Sequence, residues 1–204
     1  MKRLAWCTPA RQGLAGLLLL ALLVSPPLRQ LLEVSMWRHM LLQYPLWLLA
    51  GALLAGTLGP GARRSLARWN AHGIAGLAGV GVVLSVLMVP RVLDLALSDA
   101  QVETLKCAAL LLAGAALRLS WNAAGLVLQG FFLGNTLPMM VVVGQLYIDA
   151  PLRLCNAYLL DDQARLGRWL LALAAVLALA WLAHVAWWLV RREAAGAKLT
   201  ASDH

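Results

Sequence analysis

Met36, His39, Met40 and Gln43 stand at the spacing i, i+3, i+4, i+7, so on a helix all four project from one face. Two thioethers, an imidazole and an amide on one face suit Cu(I), a soft ion, better than a hard cation. The same spacing also serves packing, with Met36 and Met40 against lipid or core and His39 an interfacial residue hydrogen-bonded to a neighbour. More sulfur follows at Met88, Cys107, Met139, Met140 and Cys155, which completes the candidate metal set. Cys107 and Cys155 leave three outcomes open, a disulfide, copper ligation or neither, and no Cys-x-x-Cys spacing strengthens the first two. Cys7 is expected to be cytoplasmic and inert.

The elements that must carry these side chains are apolar. Of 204 residues, 62% are hydrophobic and only 13% charged, more apolar surface than a soluble core of this size can use. Continuous apolar runs place spans near 13–28, 40–58, 73–90, 105–122, 125–148 and 166–190. The fourth and fifth are nearly fused, and the break is expected at Ser120-Trp121-Asn122, where polar groups and an interfacial Trp coincide. The runs do not alternate and are rich in Leu and Ala, which argues against strands. The expected fold is an all-α integral membrane protein: one domain over 1–192 forming a bundle of about six transmembrane helices, then a polar, disordered cytoplasmic tail over 193–204. The first run is short, ends at Pro26-Pro27 and follows Lys2, Arg3 and Arg11, as a signal peptide would. No small-x-small site follows it cleanly, so an uncleaved anchor is expected.

Orientation follows from positive charge. With the N-terminus inside, the cytoplasmic face collects Lys2, Arg3, Arg11, Arg63, Arg64, Arg68, Arg191, Arg192 and Lys198 against Glu193 and Asp203, about +7 in all. The opposite face balances Arg29, Arg38, Arg91, Lys106, Arg153, Arg165 and Arg168 with seven carboxylates, so both termini are expected inside. The net charge of +8 is thereby a topology signal, which makes the lipid bilayer the expected partner and excludes nucleic acid. On this topology every Met except the initiator falls in the outer half, together with His39, Cys107 and Cys155. The connection 91–104 mixes apolar residues with Asp94 and Asp99 and reads as a short interfacial helix.

The segment Ser35-Met36-Trp37-Arg38-His39-Met40-Leu41-Leu42, followed by Pro45-Leu46 and Gly51, resembles the His-Met-x-x-His-Met-Leu-Leu helix of the CtaG-type membrane proteins. Those are polytopic proteins associated with copper delivery to, and assembly of, haem-copper cytochrome oxidases. The likeness covers about 17 residues. It implies that His39 and Met40 stand as the second His-Met pair and Met36 as the first Met, with Ser35 where the family has its first histidine. It further implies a metallochaperone of a bacterial inner membrane, serving an oxidase subunit and a periplasmic copper donor.

Other polar groups inside the spans support other readings. Arg118 is expected to snorkel at the inner face. Gln129, Asn135 and Gln145 suit bridges between helices or a transporter cavity lined by a broken helix over 134–138. Asp94 and Asp149 suit either that cavity or pairing with Arg91 and Arg153. His72 and His184 suit a b-type haem in an electron-transfer subunit, and a purely structural subunit remains an alternative. No Ser-His-Asp, His-Glu-x-x-His or phosphate-loop pattern occurs, so no enzyme is expected.

Overall fold

A computed structural model of the chain describes residues 8–202; Lys2, Arg3, Trp6, Cys7 and Asp203 lie outside the described residues. Within them every regular element is helical: α1 (Pro9–Val24), α2 (Pro26–Glu33), α3 (Met36–Ala55), α4 (Pro60–Trp69), α5 (Ile74–Leu87), α6 (Pro90–Ser98), α7 (Ala100–Asp149) and α8 (Leu160–Ser202). Proline opens α1, α2, α4 and α6, where its fixed φ suits the first turn and its missing N–H would have had no partner. Among the described residues α7 and α8 are each long and apolar enough to cross a membrane. Three bent pairs, α1 with α2 at 71°, α3 with α4 at 118° and α5 with α6 at 77°, raise the number to five if each counts as one span. The short helix expected over 91–104 is α6.

Gly125, at φ 62° and ψ 178°, interrupts α7. Across it Gln129 Nε2 donates to the Trp121 carbonyl at 2.8 Å, and the rings of Trp121 and Phe132 meet at 6.4 Å. In an uninterrupted helix those two rings would be separated by about 16 Å of rise. The chain therefore doubles back at Gly125 into two arms, 100–124 and 126–149. Each arm is about 36 Å long at 1.5 Å per residue, against a hydrocarbon core of ~30 Å. The turn thus falls at Gly125 and not at Ser120-Trp121-Asn122, because it requires a positive φ that only glycine adopts without strain. The broken helix over 134–138 that was one of two alternatives is also absent: Asn135 and Thr136 bond back to the carbonyls of Phe131 and Phe132 in unbroken helix. At the other end of the chain α8 runs past Arg192 to Ser202, where an irregular tail was expected.

Small residues bring the helices close. Gly51 of α3 lies against the backbone of Leu111, and Gly114 of α7 lies against the backbone of Leu48. A Cβ at either position would run into the facing carbonyl, so this reciprocal pair sets how near α3 and the first arm approach. Gly144 and Gly167 do the same for the second arm and α8. At the start of α5, Gly73 and Gly76 meet Ser120 and Ala124, while Gly79 and Gly81 farther along it face open space.

Substitution separates these two kinds of glycine. Gly51→Ala and Gly114→Ala are each expected to destabilise the detergent-solubilised protein by about 1–3 kcal/mol, the usual range for overpacking. Gly79→Ala and Gly81→Ala, inside a helix with room for the methyl, should leave the thermal unfolding midpoint unchanged or raise it, and an equal loss at all four sites would contradict the packing described.

Candidate functional site

The Met36–Gln43 segment enters the bundle under two constraints. The backbone N–H of Met36 donates to the Asp162 carboxylate, which caps α3 from α8. From His39 to Gln43 the helix widens into a π turn. Pro45 supplies the reason: its ring crowds the carbonyl of Leu41 and it has no N–H to offer that oxygen, and a wider turn relieves both. The spacing read from the sequence then turns one face inward, with Met36 and His39 fully buried, Gln43 1% exposed and Met40 4% exposed.

Both nitrogens of His39 are engaged. Nε2 lies 2.7 Å from Lys106 Nζ and Nδ1 lies 2.9 Å from Tyr158 Oη. Tyr158 Oη donates to the Glu33 carbonyl at 3.0 Å, so it accepts from Nδ1–H, and His39 turns its Nε2 lone pair to the ammonium. Lys106 Nζ also donates to Gln43 Oε1 at 3.3 Å and lies 2.7 Å from Glu103 Oε2. The contact with Oε2 falls outside good hydrogen-bond geometry and is chiefly Coulombic. Gln43 Nε2 donates to Glu33 Oε1 at 3.3 Å, and Arg29 Nε donates to the same oxygen at 2.8 Å while lying 3.9 Å from Glu103 Oε1. Two cations and two anions are thereby balanced around a neutral imidazole. Lys106 and Glu103 are only 2% and 5% exposed, a placement that costs several kcal/mol per ion unless each charge is met. The Tyr44 ring stands edge-on to His39 at 5.5 Å and under Lys106 at 5.7 Å. Its hydroxyl, like Trp47 Nε1, is buried with no partner among the described residues.

The connection between α7 and α8 roofs this network. Asp94 of α6 accepts from the backbone N–H of Asn156 at 2.8 Å and of Ala157 at 3.1 Å, and from the Cys155 thiol at 2.7 Å. Burial alone would raise the Asp94 carboxyl, but these donors outweigh it and hold the group below the usual carboxylate range. Burial first, and the Asp94 carboxylate next, push the Cys155 thiol up to about 12. Gln163 Oε1 fixes the same connection by accepting from Leu154 N at 2.8 Å. Tyr158 is in this way brought onto His39. Asp94 is committed to this loop, where pairing with Arg91 or Arg153 was the alternative, and Asp149 accepts from Gln145 at 2.8 Å.

The remaining candidates divide. Met36, Met40, Met140 and Cys155 belong to one buried cluster, with Met88 and Cys107 packed against it. Met139 lies apart, accepting from Ser85 Oγ at 3.0 Å beside an apolar cleft of about 400 Å³ between α5 and the second arm. Cys107 and Cys155 are both free thiols, and Cys107 donates to Glu103 Oε1 at 3.4 Å. Among the described residues no three His, Cys, Asp or Glu side chains converge on a point that would hold a metal. His72 and His184 are exposed, and His184 packs on Trp187 with ring centroids 6.4 Å apart, so neither faces a buried haem cleft. Arg118, expected to snorkel, instead donates to Ala52 O at 3.0 Å and to Gln12 Oε1 at 2.7 Å.

Arg29, Glu33, Glu103, Lys106 and Tyr158 were not among the residues singled out from the sequence. A signal for four of them existed: Arg29 and Glu33 are spaced i, i+4, and Glu103 and Lys106 i, i+3, opposite charges on helix faces next to apolar runs. No family model, curated protein or solved structure matches this chain.

Two measurements test the site. Lys106→Ala strands the buried Glu103 carboxylate and is expected to cost about 3–5 kcal/mol. The matched pair Lys106→Met with Glu103→Gln should recover most of that loss in thermal unfolding. Maleimide labelling of Cys155 in the folded protein should be slow at pH 8 and rise about tenfold per unit up to pH 10, as expected for a thiol with a pKa of about 12. A plateau by about pH 9.5, as an ordinary thiol would give, would contradict this setting of the thiol.

Proposed function

We propose that the chain is a non-enzymatic assembly factor of a bacterial inner membrane that hands on Cu(I), as cargo, at its outer face for a haem-copper cytochrome oxidase. It crosses the bilayer six times, by α1, α3, α5, the two arms of α7, and α8, with both termini cytoplasmic. α2 and α6 then lie at the outer surface and α4 at the inner one. A periplasmic copper donor and an oxidase subunit are its partners. The likeness of 35–51 to the CtaG-type helix supports this reading, as does the positive charge of the inner connections.

The observation that carries the reading is the burial of Met36, His39 and Met40 on one face of α3, where the helix widens into a π turn. Imidazole and thioether in a dry setting favour Cu(I) over hydrated hard cations. The residues as arranged do not fit a resident copper site, because the Nε2 lone pair of His39 is turned to Lys106. Copper is therefore cargo: ammonium and ion compete for one lone pair, and Lys106 must withdraw for the ion to be taken. A second reading, a structural subunit of a larger complex, is favoured by the way the same network ties α2, α3, α7 and the connection before α8 together.

Titration with Cu(I) against a colorimetric chelator separates the two. The wild type is expected to take up about one ion, His39→Ala none, and Met36→Leu or Met40→Leu one ion held more weakly. The Lys106→Met/Glu103→Gln pair should bind about tenfold more tightly than wild type, since its competitor is gone. If His39→Ala retains full copper, or neither wild type nor the pair binds any, the network is a scaffold. Reporter fusions give an independent check on topology, with Gly61 expected in the cytoplasm and Asp161 outside.

A further inference from the structure

A second site stands at the opposite end of the bundle, where α4 leaves α3 at 118°. No residue of α4 is buried and it makes no extended contact with another helix. Its sequence holds Arg63, Arg64 and Arg68 and no acid, with Leu66 46% and Trp69 87% exposed. A free-standing basic helix with exposed Leu and Trp is the form that lies in a membrane interface. Arg63 fixes its start by donating to Leu58 O at 3.0 Å and Gly56 O at 2.9 Å, the carbonyls that end α3.

Between α4 and the near ends of α5 and α7 is a cleft of about 570 Å³. Arg63 and Arg118 supply its charge and Asn70 and Asn122 its amides, while Leu66 and Leu119 stand among its apolar walls. Cationic and amide donors beside aliphatic surface match a molecule that joins a phosphate to a hydrocarbon chain. An inorganic phosphate would leave the aliphatic walls unused, and a neutral lipid would leave unbalanced the charge of two guanidinium groups whose present acceptors are neutral carbonyl and amide oxygens. We propose that this cleft binds one anionic phospholipid of the cytoplasmic leaflet, its phosphate between Arg63 and Arg118 and one acyl chain along Leu66 and Leu119. Arg64 and Arg68, outside the cleft, contribute only to the general field.

The test uses the full chain in neutral detergent, with native mass spectrometry reading lipid adducts as dioleoyl phosphatidylglycerol or dioleoyl phosphatidylcholine is added. The first phosphatidylglycerol should bind about tenfold more tightly than phosphatidylcholine. Arg63→Gln should erase that preference, whereas Arg64→Gln/Arg68→Gln should keep most of it. Ala67→Trp, which fills the cleft without changing charge, should also remove the tight adduct, and it covers the event that Arg63→Gln disturbs the end of α3. Equal affinity for the two lipids, an Arg64/Arg68 effect as large as that of Arg63, persistence of the adduct in Ala67→Trp, or full displacement by 10 mM inorganic phosphate would each overturn the site.

Discussion

One ammonium group organises the His39 end of this molecule. Lys106 Nζ sits among Glu103, His39 and Gln43 in a setting with almost no solvent, and a charge there is tolerable only while the Glu103 carboxylate balances it and His39 and Gln43 accept from it. Arg29 and Glu33 extend the balance outward to α2, and Tyr158 extends it to the connection before α8. The four segments that meet at this point are consequently not free to shift one at a time. Moving any of them uncovers a charge or a lone pair.

The precision of that arrangement rests on backbone contact elsewhere. Reciprocal glycines bring α3 and the first arm of α7 together at Gly51 and Gly114, several turns from His39 and Lys106. Hydrogen bonds of 2.7–3.3 Å tolerate little drift in helix separation, so the small residues deep in the bundle serve the polar residues near its end. The π turn makes the complementary adjustment within α3. It answers the crowding at Pro45 and lets His39 and Gln43 share one inward face.

Much of this was legible in the residue pattern. The helical class, the apolar runs and the common face of Met36, His39, Met40 and Gln43 all follow from periodicity and composition. What periodicity does not carry is what faces that side chain set from other segments. Glu103 reads as a loop charge and Lys106 as the charged outer end of an apolar run, and only tertiary packing turns them inward. Tyr158 is separated from His39 by 119 residues and carries no local mark. The turn falls at Gly125 and not at Asn122, because polar residues mark a helix end only loosely whereas a positive φ is a demand on the backbone. Met139 and the histidines at 72 and 184 show the reverse failure, residues of suitable type that the packing leaves facing elsewhere.

The hairpin at Gly125 also decides which ends of its arms meet. Its arms are joined by a single residue and double back, so the start of the first and the end of the second come to the same end of the bundle. Lys106 stands near that start, and the connection that carries Tyr158 follows that end. One glycine turn therefore delivers the ammonium and the roof that closes on it to the same place.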